Sequence, residues 1–113
     1  MDLSLIPRHV GGVFVIDIAG KLTMYEDGLR NCVRESLDAG ERRFVLNLRD
    51  VSYMDSAGLG QLITAYIKVI NAGGNLRLLS PGPRVRRLLE ITKLDSVFTI
   101  LENEAAIDGP TAA

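Results

Sequence analysis

Residues 43–79 read RFVLNLRDVSYMDSAGLGQLITAYIKVINAGGNLRLL, and this stretch decides the fold. It opens with Arg43 to Leu48, apolar on both faces for most of its length, the pattern of a central strand covered by other elements. Asp50 to Ser56 reads as a polar loop interrupted by Val51, Tyr53 and Met54. A long amphipathic helix follows. Its apolar positions Leu59, Leu62, Ile63, Tyr66, Ile67 and Ile70 step as i, i+3, i+4, i+7, i+8 and i+11, which predicts one buried face. Gly73 and Gly74 end it, and Asn75 to Leu79 returns to strand. Strand, helix, strand in this order predicts a βαβ unit with parallel strands.

Upstream, Leu3 to Arg8 is a weak edge strand that ends near Pro7. Gly11 and Gly12 make a turn, and Val13 to Ile18 is a strong β-branched strand, so the chain opens with an antiparallel pair. From Tyr25 the period becomes helical, with Tyr25, Leu29, Cys32, Val33, Ser36 and Leu37 on one side. Thr23 followed by Glu26 fits a capping box at the start of that helix, and Gly40 fits its stop. Downstream, Ser80-Pro81-Gly82-Pro83 is a hard break. Arg84 to Ile91 reads as a short helix with Val85, Leu88 and Leu89 inward, Val97 to Leu101 as the last strand, and Asn103 to Ile107 as one more helical turn. The expected order is β-β-α-β-α-β-α-β-α. This is an α/β chain forming a single domain over residues 1–113, with a core at about 3–107 and a frayed tail at 108–113. Its mixed, mostly parallel sheet of about five strands packs with about four helices. The loops at the carboxyl ends of the strands are the expected functional surface.

A chain of 113 residues is one ordinary domain and buries roughly 65% of its unfolded surface, enough to fold without disulfides or a metal. Thirteen Lys and Arg balance 14 Asp and Glu for a formal charge of −1, which argues against a general nucleic-acid binder. The lone Cys32 has no disulfide partner in the chain and fits a reducing compartment. No signal peptide is visible and no apolar run approaches the roughly 20 residues of a membrane span, so a cytoplasmic protein with no membrane insertion is expected.

Met54-Asp55-Ser56-Ala57-Gly58-Leu59-Gly60, at the loop-to-helix junction, is the most informative stretch. Ser56 stands where a helix N-cap belongs, but Asp55 offers the same service. Gly58 and Gly60 each cost a helix about 1 kcal/mol relative to Ala, so something besides helix stability favours them. They strip side chains from the first turn and leave a flat, backbone-rich surface that another protein can approach. A serine at a helix N-terminus also tolerates a phosphate, since the helix dipole favours negative charge there.

Enzymatic readings lack machinery. A nucleophile elbow needs G-x-S-x-G, and Met54 holds the first glycine position. The single histidine, His9, falls in the opening hairpin, away from Ser56 in sequence. Gly58 and Gly60 are followed by Ile63 where G-x-G-x-x-G needs glycine, and no P-loop is present. One Cys and one His make no ordinary zinc site, and no cofactor is implied. Arg84, Arg86 and Arg87 read as a solvated helix face.

Four elements together resemble the STAS domain of bacterial anti-sigma-factor antagonists: Ile18-Ala19-Gly20-Lys21-Leu22, Val45-Leu46-Asn47-Leu48, Met54 to Gly60, and Ala72-Gly73-Gly74. The resemblance spans about Leu3 to Ile107. It implies a phosphoacceptor serine at Ser56 with Asp55 beside it, and a partner-binding surface at Gly20, Leu22, Thr23, Asp55, Ser56, Ala57, Gly58, Leu59 and Gly60. It implies an anti-sigma factor as partner, often a serine kinase of the GHKL type, whose binding by the antagonist frees a sigma factor. Phosphorylation by that kinase ends binding, and a PPM-type phosphatase restores it. Where many members carry Asp in the first loop, this chain has Thr23, which bears on which partner is recognised. The alternative is a constitutive STAS adaptor of a transporter or stress-signalling complex, without phosphorylation.

Overall fold

A computed structural model describes residues 3–24 and 27–107. The strands are β1 (Leu3–Val10), β2 (Val13–Leu22), β3 (Arg43–Met54), β4 (Asn75–Leu79) and β5 (Thr99–Leu101). The helices are α1 (Gly28–Asp38), α2 (Ser56–Asn71) and α3 (Pro83–Ile91). The described residues thus hold three α-helices where about four were expected. The fourth is a three-residue 3-10 turn, Glu104–Ala106, and a second such turn, Leu94–Ser96, precedes β5. The five strands lie in the order β1-β2-β3-β4-β5, with β1 antiparallel to β2 and every other neighbouring pair parallel.

All three helices cover one face of this sheet. Phe14, Ile16 and Ile18 of β2, Phe44, Leu46 and Leu48 of β3, and Leu76 and Leu78 of β4 share a core with Leu29, Val33, Leu62, Val69, Val85 and Leu89 of the helices. Each such side chain, fully buried, stabilises the fold by about 1.5–3 kcal/mol. The alternate residues Val13, Val15, Val45 and Leu79 form a smaller cluster on the other face, closed by Ile107. Buried Arg77 fastens that cover by donating from Nη2 to the Ile107 carbonyl at 3.0 Å.

Several element boundaries differ from expectation. β1 runs through Pro7 to Val10, because an edge strand has one side without partners and does not need the N–H that proline lacks. The supposed polar loop 50–54 is the second half of β3, paired with Ala19–Leu22. Register shifts after Asp17 and Gly20, with Gly20 at φ 103°, break the alternation by which a strand is recognised in sequence. On α2 the buried stripe is Leu59, Leu62, Ala65 and Val69, whereas Ile67 and Ile70 are exposed. The small Ala65 brings the helix close to the sheet, and the two isoleucines turn outward. Tyr66 packs edge-to-face on Phe98 with ring centroids 5.1 Å apart. Helix α1 begins at Gly28 with Asp27 in the N-cap position, so Thr23 is not its N-cap; Tyr25 and Glu26 of the expected capping region lie outside the described residues.

Candidate functional site

Because β2 and β3 are parallel neighbours, their carboxyl ends finish together, with Leu22 in register with Met54. β4 pairs only with Arg43–Asn47 of β3, so the ends of β2 and β3 project past β4. The loop leaving β2 and the first turn of α2 therefore emerge side by side at one corner. Each predicted site residue belongs to one of these two segments or to the strand end that carries it.

Asp55 is the N-cap of α2: its extended backbone (φ −100°, ψ −175°) lets Oδ1 accept from the Gly58 N–H at 2.8 Å. The sequence offered both Ser56 and Asp55 for that position. Ser56 is instead the first helical residue, exposed, and its hydroxyl makes no hydrogen bond with the described residues. The cap is satisfied without it, so its side chain carries no local structural duty.

The two glycines differ in kind. Gly58 is buried, and a β-carbon there would lie 2.0 Å from the Leu22 carbonyl oxygen, so this glycine lets α2 seat on the end of β2. It contributes packing, in place of the open surface expected of it. At Gly60 a β-carbon would meet nothing within 4 Å, so the expectation of a bare, approachable surface holds there. Leu22 and Leu59 have buried side chains that anchor the corner from within. What faces outward is Ser56, with the partly exposed Thr23, Asp55, Ala57 and Gly60, while Gly20 supplies the bulge behind them.

Residues to which the sequence reading gave no site role join this surface. Gln61 Nε2 donates to the Thr23 carbonyl at 2.6 Å and clips the loop to α2. Met24 is 66% exposed on that loop, and Arg30 follows on α1. With Asp27, Ala57, Gly60 and Thr64 they line a recess of about 340 Å³. An exposed methionine in a loop was the one signal available; nothing in the sequence distinguishes Gln61 from any polar helix residue.

His9, in the opening hairpin, is an exposed residue of strand β1 and not of the turn; it lies opposite Phe14, with Nε2 2.6 Å from Glu41 Oε2. Phe14 and Leu22 mark opposite ends of β2, roughly 25 Å apart at strand rise, so His9 is no base for Ser56. Among the described residues no group of three or more His, Cys, Asp or Glu is placed to hold a metal. Cys32 is half-buried on α1, and burial pushes its thiol upward despite a hydrogen bond with Ser36. Arg86 pairs with Glu102 at 2.8 Å, while Arg84 and Arg87 are exposed.

On the sheet face away from the helices, Asp17 accepts from Arg8 Nε at 2.8 Å and from Asn47 Nδ2 at 2.8 Å. Partial burial works against its charge, but the Arg8 and Asn47 hydrogen bonds win and hold the carboxyl below its ordinary value. Glu104 and Asp17 together raise the Arg8 guanidinium in turn. This network ties the 3-10 turn at Glu104 to β1 and β2.

Residues 4–107 match the model of the STAS domain family. The chain belongs to that family. Among its STAS relatives, the anti-sigma-B factor antagonist of Bacillus subtilis is 36% identical over 103 residues, covering 88% of this chain and 92% of its own. The fold is shared with an anti-sigma factor antagonist from Mycobacterium paratuberculosis, at a TM-score of 0.82 and 23% identity over 93% of this chain and 90% of that one. It is shared also with the phosphorylated form of the Bacillus cell fate determinant SpoIIAA, at a TM-score of 0.72 and 22% identity over 93% and 97%. No helix of the STAS chain, among its described residues, is long and apolar enough to cross a membrane.

Proposed function

We propose that this chain, a single STAS domain working in the cytoplasm, is an anti-sigma-factor antagonist and not an enzyme. In this reading the unphosphorylated protein binds an anti-sigma factor that is also a GHKL-type serine kinase, and so frees a sigma factor. Phosphorylation of Ser56 ends the binding, and a PPM-type phosphatase restores it. The observation that carries the reading is the exposed, unbonded Ser56 hydroxyl beside an Asp55 that already caps α2. A phosphate there adds about −1.5 to −2 charge to a surface without long side chains at Ala57 and Gly60. Asp55 repels that charge, and the added bulk holds off a partner that must approach the helix start closely. The names of the curated relatives support the same reading.

The test is intact-mass spectrometry of wild type and Ser56→Ala after incubation with ATP and purified GHKL-type kinases of the same genome. One added phosphate on wild type and none on Ser56→Ala supports the switch. No phosphate on wild type, with a kinase active on another substrate, transfers the reading to a constitutive adaptor.

A further inference from the structure

We infer that Gln61 is a positioning residue for partner binding: from α2 it fixes the peptide plane that leads to Met24, and so presents that side chain to the partner in a set relation to Ser56. The inference rests on the partner-binding reading of the Ser56 corner.

The loop from β2 to α1 leaves the sheet at Leu22, which is fully buried, and is anchored again at Leu29, buried as well. Its first residue, Thr23, is the one that Gln61 holds, with Nε2 donating to the carbonyl oxygen at 2.6 Å. That oxygen belongs to the planar peptide unit that ends at the Cα of Met24. Fixing the oxygen against α2 therefore restricts the direction in which the chain sets out toward Met24. Met24 itself is 66% exposed, so packing against the fold holds little of it. A flexible, polarizable side chain left outside the core is suited to a protein contact. Helix α2 begins at Ser56, and five residues of helix place Gln61 about 7.5 Å further along its axis. One helix thus carries both the serine and the clip.

Stability does not account for glutamine at this place. Its Oε1 is buried with no hydrogen-bond partner among the described residues. An unpaired buried acceptor costs at least as much as one ordinary hydrogen bond returns. Methionine, of similar length and helix propensity, would fill the same space with neither donor nor acceptor to satisfy. Being enclosed, Oε1 is also no contact atom for a partner. What the side chain accomplishes is its bond to the loop. The adjacent Gly60 is a second choice that stability does not explain, since neither backbone conformation nor crowding calls for glycine there.

The experiment titrates purified GHKL-type kinases of the same genome into the protein by calorimetry, and keeps as probe the one that wild type binds and Ser56→Asp does not. Gln61→Met is expected to weaken binding about tenfold while its melting temperature stays at or above that of wild type. Met24→Ala is expected to weaken binding by a similar factor. The double variant reads the mechanism: because Gln61 acts through Met24, Gln61→Met should add less than about twofold in the Met24→Ala background. Wild-type affinity in Gln61→Met overturns the positioning role and leaves the Ser56 switch standing. An affinity loss accompanied by a lower melting temperature overturns it too, since it marks a structural residue. So does a double variant weakened about a hundredfold, which marks two independent contributions. If no kinase binds wild type, or Ser56→Asp binds equally well, the antagonist reading falls and the positioning role with it.

Discussion

The Leu22 carbonyl oxygen lies 2.0 Å from the point a β-carbon on Gly58 would occupy, so the end of β2 and the first turn of α2 are in direct backbone contact. The same arrangement recurs at Gly74, where a β-carbon would lie 2.1 Å from the Arg42 carbonyl oxygen. Backbone cannot swing aside as the tip of a side chain can. At both places a methyl group must push one element off another.

Gly58→Ala is therefore expected to destabilise the fold by about 3 kcal/mol, the upper part of the usual range for overpacking, despite alanine's better helix propensity. Urea denaturation with an unchanged m-value checks it. Equal or greater stability would mean that α2 does not seat on Leu22 as described.

Asp55 and Ser56, adjacent in sequence, are expected to separate cleanly by stability. Asp55→Ala removes the acceptor for the Gly58 N–H and should cost about 1 kcal/mol. Ser56→Ala removes a hydroxyl with no described partner and should stay within about 0.5 kcal/mol of wild type. Thermal melts of the two variants side by side decide whether the serine is a cap.

The Asp17 carboxyl, held below its ordinary value, gives a pH signature. A depressed carboxylate contributes stability that is fully present above its unfolded value, near pH 4, and is lost as pH falls through the folded value. Asp17→Asn should thus be less stable than wild type at pH 7, with the gap closing below about pH 4. Melting temperatures across pH 2–7 measure the gap; one that widens in acid would contradict the Arg8–Asp17 pairing.

Neighbours on α2 offer a fourth comparison. Val69 is fully buried, and Val69→Ala should cost about 2–3 kcal/mol through lost burial and the cavity left behind. Ile70 is exposed, and Ile70→Ser should change stability by no more than about 0.5–1 kcal/mol, most of it helix propensity. Chemical denaturation of both proteins would show whether hydrophobicity or position governs the cost.

Element types and their order were legible in the sequence because they follow from local periods: β-branched runs at Val13–Ile18 and Arg43–Leu48, a 3.6-residue period after Leu59, and glycines at 73 and 74. The Ser56 motif was legible too, since an Asp-Ser pair entering a helix with glycines behind it is a local pattern. The tertiary structure alone decided which of these residues face a partner. Parallel pairing of β2 with β3 puts Leu22 beside Met54, and so brings Thr23 and Met24 against a helix that begins more than thirty positions later. That pairing divides the two glycines, one pressed on a carbonyl and one facing open space, and turns Gln61 into a clip that holds the Thr23 loop to α2. Local sequence carries propensity and pattern, but burial is set by what arrives from elsewhere in the chain. For the same reason Ser56 lost the cap to Asp55, and Ile67 and Ile70 lost the core to Ala65 and Val69.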